Sequence, residues 1–252
     1  MPAPDAGGAA RRRSPAALAL LGLLALLAFI GLVALGTWQV ERRAWKLDLI
    51  ARVDARVHAP HAALPPRADW PRVNAADDEY RRVQATGTFL YDRETLTQAT
   101  TSLGAGFWVM TPLRLRDGTL LVNRGFVPAD RRDRASRAAA DQPGEVTVAG
   151  LIRMTEPKGG FLRSNDPAAD RWHSRDVEAI AVARGLADAA PFFLDADARP
   201  NPGGLPVGGL TVVSFPNSHL VYALTWYGLA LMLAGAVAYV GREEWRARRR
   251  PG

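Results

Sequence analysis

The sequence contains no cysteine in its 252 residues. This absence excludes disulfide bonds, iron–sulfur clusters, thiol catalysis and any metal site with a cysteine ligand in the chain. It leaves the compartment undetermined. Because 48% of the residues are hydrophobic, the chain is too apolar for a disordered protein, and we expect one folded domain with additions.

A basic stripe is also absent, although the formal net charge is +7. The first thirteen and the last twelve residues together contain eight arginines against three acidic residues, and account for +5 of that charge. The middle of the chain lacks the clustered cations and interleaved aromatics that suit a phosphate backbone. We therefore expect no nucleic acid among the partners.

Motifs of the common enzyme classes are missing too. The sequence contains no nucleophile elbow, no H-E-x-x-H zinc motif, no P-loop and no Rossmann glycine pattern. Serine, histidine and aspartate occur without a spacing that would indicate a catalytic triad. The sequence thus predicts a protein that is not an enzyme and has no catalytic residues.

Two long uncharged runs are the most prominent feature that is present. Residues 14–40 are mostly Leu, Ala, Ile, Val and Phe, and a second run extends from His219 to Val240. Each is long enough to cross a bilayer, which takes about 20 apolar residues. We predict transmembrane helices at 14–40 and 217–240. A cleaved signal peptide is the alternative for the first run, but its apolar core is too long and its cleavage site is weak.

Arginines beside both runs predict the orientation of the chain. They precede the first run as Arg11, Arg12 and Arg13 and follow the second as Arg242, Arg246, Arg248, Arg249 and Arg250. By the positive-inside rule, the basic tails 1–13 and 241–252 lie in the cytoplasm. Residues 41–216 then form an extracytoplasmic domain.

This central domain is rich in strand signals. Strands are predicted at 80–89, 107–115, 119–123 and 145–154, from period-two alternation and from β-branched and aromatic residues. Asp117-Gly118 predicts a type I′ hairpin, because that turn needs positive φ at both central residues.

Helical patterns are fewer in the central domain. They cover 130–140 and 174–185, the latter with Ser174 as N-cap, and residues 40–59 continue the first membrane helix up to Pro60. The predicted fold class is membrane-anchored α+β. Two terminal transmembrane helices bracket an antiparallel β-rich extracytoplasmic domain, a sheet or small open barrel, with short helices.

Four separated segments match one known family in the expected order. They are GTWQVERRAWK at 36–46, TPL at 111–113, LVNRGFVP at 121–128 and NSHLVYALTWYGLA at 217–230. On these segments the chain resembles the Surfeit-locus cytochrome c oxidase assembly factors. The resemblance covers nearly the whole chain apart from the arginine-rich tails. Residues 60–78 are its least familiar stretch, so no role is transferred to them.

The resemblance implies a biogenesis factor that binds haem a transiently and assists its insertion into the catalytic subunit of a haem-copper oxidase. It implies that subunit, haem a synthase and membrane lipid as partners, in a bacterial cell (inner) membrane with a periplasmic domain, and leaves a homo-oligomer open. One alternative is a membrane-anchored haem enzyme that oxidises quinol or another redox substrate. A scaffold without haem is the other. The lack of a second convincing axial ligand favours the haem carrier over the redox enzyme.

His219 stands at the outer end of the second run, where an imidazole could ligate haem iron. Tyr222 and Trp226 follow at helical spacing and offer an aromatic surface on the same face. From these residues alone, an aromatic belt with His219 as an interfacial cap is the favoured interpretation. The resemblance reverses this balance and implies that His219 is the axial ligand.

The outer end of the first run has a matching set of residues. Trp38, Arg42 and Trp45 share one helical face, which we expect to contact the second helix. Gln39, Arg43 and Lys46 lie at the same depth, and the cations among these residues suit haem propionates. The alternative is that they contact lipid headgroups.

The other histidines have weaker claims to a metal. His58 and His61 lie close together in the sequence, but Pro60 separates them and no third ligand has a suitable spacing. His173 could be a second ligand, although a rim residue of the folded domain is the simpler interpretation.

Asn123-Arg124-Gly125 is predicted to follow a strand. One interpretation is a turn in which Gly125 has positive φ and Arg124 pairs with a carboxylate. The other is contact with a partner subunit or a haem edge, and the sequence leaves both open.

Overall fold

The structure is a computed structural model that describes residues 14–160 and 162–249. The predicted tail 1–13 with Arg11, Arg12 and Arg13, and the end of the second tail from Arg250, lie outside the described residues. The described chain divides into two compact units. A helical unit combines the residues up to Ile50 with those from Phe215 onward, and a β-rich unit extends from Ala51 to Ser214.

The described residues form α-helices and strands in the following order. They are α1 (Pro15–His58), β1 (Ala62–Ala63), β2 (Arg82–Phe89), β3 (Thr95–Thr101), β4 (Gly104–Leu115), β5 (Gly118–Pro128), β6 (Glu145–Met154), α2 (Val177–Ala183), β7 (Ala189–Ala196) and α3 (His219–Arg249).

The two terminal helices are both long and apolar enough to cross a membrane. α1 has 44 residues and is about 66 Å long at 1.5 Å per residue, more than twice a hydrocarbon core of ~30 Å. It therefore continues well beyond any span, as predicted, and it ends two residues before Pro60, which cannot extend a helix without losing a hydrogen bond. These helices make the chain a membrane protein.

Five strands of the β-rich unit close into a barrel. The sheet order is β1-β2-β6-β7-β5-β4-β3, and a further pairing of β2 with β4 closes the ring. That pairing is short and joins Thr88 to Arg114 and Phe89 to Leu113. The predicted fold class is confirmed, and two details go beyond it. The barrel is closed, and β5 pairs with β7 in parallel while the other ring pairings are antiparallel.

Alternation along the strands fills the barrel. In β2, Val83, Ala85 and Phe89 point inward, and they join apolar residues of the other four ring strands in one core with Trp70. β5 is buried on both faces because Leu120 and Val122 enter this core while Leu121 packs against α2 and Trp172. A central strand covered on both sides explains why β5 has no clean alternation in its sequence.

Several local predictions need correction. β4 and β5 form the predicted hairpin, but its turn is not type I′, because the connecting residues Arg116 and Asp117 have no positive φ and only Gly118 does, at +142°. Short 3-10 turns at Ala129–Arg131 and Arg134–Ala140 replace the helix predicted at 130–140.

The second predicted helix begins later than expected. The N-cap of α2 is Asp176, whose carboxylate accepts from Ala179 N, and not Ser174. Ser174 instead donates from its hydroxyl to Glu156 O at 2.7 Å. Aspartate and serine are equally good N-cap residues. The side-chain contacts of Ser174 and Asp176 therefore determine where α2 begins.

Candidate functional site

α1 and α3 approach closely at a glycine. A Cβ on Gly36 would lie 2.7 Å from Cε1 of Tyr227, so a larger residue would push the ring away. On the facing helix, Ala223 and Ala230 are only 2% and 3% exposed. Small residues of this kind let membrane helices pack with their backbones close together.

Two hydroxyl groups beside Gly36 connect the helices. Thr37 donates from Oγ1 to Val33 O at 3.0 Å, and the same Oγ1 lies 3.1 Å from Tyr227 Oη. Because the threonine proton is already used within the helix, the tyrosine hydroxyl is the donor to Thr37. This bond orients the Tyr227 ring over Gly36.

A second polar contact lies one turn further out and involves the predicted haem ligand. His219 Nδ1 is 2.7 Å from Gln39 Oε1. A carbonyl oxygen can only accept, so Nδ1 of the neutral ring has the proton and Nε2 has the lone pair. Among the described residues none bonds to Nε2. This is the arrangement in which a histidine ligates a metal while its other nitrogen is held by an acceptor.

The residues predicted around His219 differ in their surroundings. Tyr222 is 55% exposed, whereas Trp226 is half-buried on the side of α3 nearer to Ala223. The inner face of α3 therefore includes His219, Trp226, Tyr227 and the small residues Ala223 and Ala230. Sequence reasoning missed the roles of Gly36, Thr37 and Tyr227, although the small residues at 36, 223 and 230 were a usable signal.

The prediction that the face of α1 with Trp38, Arg42 and Trp45 contacts α3 is wrong. Trp38 and Trp45 are 53% and 47% exposed, with Arg42 stacked on Trp45 at 4.1 Å from the ring centroid. Gly36, Thr37 and Gln39 make the contacts with α3 instead. Bulky indoles hold helices apart, so the close contact formed through the small and polar residues.

The cations near His219 are placed differently from one another. Lys46 and Arg43 are half-buried and follow Gln39 at helical spacing, whereas Arg42 is exposed. Lys46 Nζ lies 5.2 Å from the ring centroid of Phe215. Lys46 and Arg43 are thus the cations on the Gln39 side of α1.

The remaining histidines bond to separate groups. His58 Nδ1 contacts Asp54 O at 2.9 Å, and His61 Nε2 contacts Arg82 Nη2 at 3.1 Å. His173 Nδ1 lies 2.9 Å from Gln98 Oε1. Within residues 14–160 and 162–249, no three His, Asp or Glu side chains form a group that could hold a metal.

Asn123-Arg124-Gly125 lies inside β5, so the predicted turn after a strand is corrected. Gly125 does have positive φ, at +130°, and a Cβ there would lie 2.2 Å from Val207 O. The register with β4 shifts at this point, which makes the tripeptide a β-bulge. The bulge directs Arg124 inward, where the residue is 2% exposed.

Asp195 is the centre of a buried network of charged and polar groups in the β-rich unit. It accepts hydrogen bonds from Asn123 Nδ2 at 2.8 Å, Arg175 Nη1 at 3.0 Å, Arg153 Nη1 at 3.2 Å and Thr211 Oγ1 at 2.9 Å. Burial alone would lower the pKa of Arg175, but Asp195 and Glu156 outweigh it and raise that pKa. The network is saturated, and it has the character of a structural core.

Comparison with known proteins gives consistent matches over the barrel and part of each terminal helix. The sequence model of the SURF1 family matches residues 26–231. Surfeit locus protein 1 of Homo sapiens is 39% identical over 214 residues, or 78% of this chain and 69% of the human protein. Surfeit locus protein 1 of Mus musculus is 39% identical over 212 residues, or 77% and 67%. The SURF1-like protein of Monosiga brevicollis is 36% identical over 223 residues, or 83% of both chains.

Proposed function

The chain belongs to the SURF1 family, and from this premise we propose that it binds haem a at His219 and assists haem insertion into a haem-copper oxidase. It receives haem a from the enzyme that synthesises it, and the oxidase catalytic subunit is the recipient. Haem a is cargo here, so the protein needs no catalytic residue of its own.

The observation that supports this function best is the hydrogen bond between His219 and Gln39. With Nδ1 engaged at 2.7 Å, Nε2 is the nitrogen left for iron, and the ring cannot rotate without losing the bond. His219 is half-buried at the first residue of an apolar helix, where a porphyrin can replace lipid or water. The chemistry of these groups therefore fits a haem.

Nearby residues would hold the rest of the haem. Trp226 and Tyr222 offer ring surface along α3, and Trp38 does so from α1. The propionates need cations, for which Lys46 and Arg43 are the half-buried choices and Arg42 the exposed one. Trp45 is engaged with Arg42 and has a supporting position.

Haem content after co-expression with haem a synthesis tests this function. We expect His219→Ala to lose haem a while the protein stays in the membrane, because one interfacial residue contributes little to insertion. His58→Ala is the matched control and should retain full haem. Retention of haem and an unchanged spectrum in His219→Ala would exclude ligation by His219. Loss in His173→Ala instead would move the site to the β-rich unit.

The fate of the bound haem separates a carrier from an enzyme. A carrier should hold exchangeable, substoichiometric haem without turnover, whereas stoichiometric haem with quinol oxidation would indicate a redox enzyme. In a host without the gene, we expect the reduced haem a absorbance of its oxidase to fall. An unchanged oxidase spectrum would contradict a role in haem insertion.

The proposed location is a bacterial inner membrane with both termini in the cytoplasm. Arg242, Arg246, Arg248 and Arg249 at the end of α3 support this orientation. Alkaline phosphatase fused near Gly160 should be active, and the same enzyme fused after Gly252 should be inactive. The opposite result would reverse the topology.

A further inference from the structure

A cavity of about 430 Å³ opens at one end of the barrel, within the β-rich unit. Its walls come from β6, from the end of β7 and from the loop that follows β7. Phe89, Val148 and Ala149 provide apolar surface, and Arg124 lines the cavity from the bulge in β5. The cavity is independent of His219 and of the proposed function.

Arg124 is an incompletely paired buried cation. Its Nη2 donates to Ala140 O at 2.6 Å and reaches Asn201 Oδ1 at 3.5 Å. No described residue places a hydrogen-bond acceptor at its Nε or Nη1, and both atoms are buried. A buried charged group without its hydrogen bonds is costly, so a ligand that supplies an acceptor is favoured.

The carboxylates around Arg124 are engaged elsewhere. Asp141 receives two hydrogen bonds from Arg134, at 3.0 and 2.7 Å, and stays 3.8 Å from Arg124 Nη1. Glu94 is paired with Arg137. Asp197 on the cavity wall lies 3.5 Å from Arg199. None of these carboxylates gives Arg124 a hydrogen bond of its own.

Two aromatic rings stabilise the guanidinium only in part. Its Cζ lies 5.1 Å from the centroid of Phe89 and 5.0 Å from that of Tyr91, which suits a cation–π interaction. An aromatic ring is at best a weak acceptor of an N–H group, so these contacts do not replace hydrogen bonds to oxygen. Burial lowers the pKa of Arg124, against the opposing effects of Tyr91, Glu94 and Asp141, as expected for a cation short of partners.

We propose that this cavity binds a small monocarboxylate, with its carboxylate paired to Arg124 and its short apolar tail against Phe89 and Val148. A monoanion is favoured over phosphate, because Arg124 is the one cation without a carboxylate hydrogen bond among the described residues of the cavity wall. Arg199 there is paired with Asp197, and Glu145 adds a negative charge that disfavours a dianion. The volume admits an acid of a few carbons.

Sodium butyrate is the probe, used with the full chain in detergent at pH 7. We expect it to raise the unfolding temperature and to bind in calorimetric titration, while sodium phosphate has a smaller effect and sodium chloride of equal ionic strength has none. A butyrate response no larger than that to chloride, or weaker than that to phosphate, overturns the proposal.

Two variants and a control locate the site. Arg124→Lys should weaken butyrate binding by at least about tenfold, since it loses the planar set of donors. Asp141→Asn leaves the cavity walls intact but removes the nearest competing charge, so it should bind butyrate more tightly than the wild type. Arg163→Gln, outside this cavity, should bind as the wild type does.

Binding by Arg124→Lys equal to that of the wild type would overturn the assignment. If that variant does not fold, Asp141→Asn decides alone. Tighter binding then supports the proposal, and unchanged or weaker binding overturns it.

Discussion

Polar side chains have different roles in the helical unit and in the β-rich unit. Around the contact of α1 with α3 they are few and paired singly, as in Gln39 with His219 and Tyr227 with Thr37. In the barrel they form saturated networks, such as that of Asp195 with its two arginines. Of these, the Gln39–His219 pair is the one suited to ligand binding, because no described residue bonds to Nε2 of His219.

This difference has a physical origin. Apolar helices provide few polar groups, and at this contact Gln39 and Thr37 of α1 bond to residues of α3. A small closed barrel must bury the charges that its strands bring inward, and each buried ion needs several partners. The exception is Arg124, whose Nε and Nη1 are buried without a hydrogen-bond acceptor among the described residues.

We expect the largest effect on stability from a substitution that breaks the Asp195 network of the barrel. Asp195→Ala leaves Arg153 and Arg175 without their shared buried carboxylate, and should lower the free energy of unfolding by about 3–5 kcal/mol. Denaturant unfolding of the detergent-solubilised chain measures this loss. Asp69→Ala, which removes a surface pair with Arg72, is the control and should cost less than about 1 kcal/mol. Equal losses would mean that burial does not distinguish these pairs.

A change at the helix contact should affect haem and spare the barrel. In Gly36→Val the new side chain meets the Tyr227 ring and should reduce haem a per polypeptide to background. The barrel should unfold at the wild-type denaturant concentration. Gly31→Val is the matched control, since a Cβ there meets nothing within 4 Å. Full haem in Gly36→Val would show that the close approach of the helices is not needed for binding.

Substitutions at Gln39 should have a smaller effect, and they test the role of Gln39 in positioning His219. Gln39→Leu removes the acceptor for Nδ1 and should weaken haem a binding by about 10-fold, the lower end for loss of a partner behind a metal ligand. Gln39→Glu keeps an acceptor and should restore binding. The haem absorption spectrum should shift in Gln39→Leu and stay unchanged in Gln39→Glu. If both variants bind haem alike, the hydrogen bond has no part in the site.

Much of this fold could be predicted from local sequence pattern. Two apolar runs identified the terminal helices, and alternation placed β6 at its observed bounds and β2 within two residues. β3 and β7 were missed, because β3 contains only one large apolar residue, Leu96, and β7 contains Pro191. Barrel closure could not be predicted, since it depends on a short pairing between β2 and β4.

The packing around the candidate site could not be predicted from the sequence. His219 as haem ligand stays a prediction that the resemblance implies, and Gln39 was selected only for its depth. The indoles of Trp38 and Trp45 dominated the pattern of α1, yet small residues decide which faces meet. Burial of Arg124 was invisible in sequence. It results from a bulge in β5 opposite β4, where Gly125 lies against Val207, which is far along the chain.

The smallest effect concerns pH and one ion pair in the barrel. Burial alone would raise the pKa of Glu156, but the hydrogen bonds and charge of Arg175 outweigh it and hold the pKa below the ordinary value near 4.5. A carboxyl group with a lower pKa in the folded state stabilises the fold at pH values above its unfolded pKa. This contribution is lost as the pH falls through the folded-state pKa. Glu156→Gln should therefore be less stable than the wild type at pH 7, and the difference should shrink below about pH 4. Urea unfolding at the two pH values measures it, and a difference that grows on acidification would contradict the assigned direction.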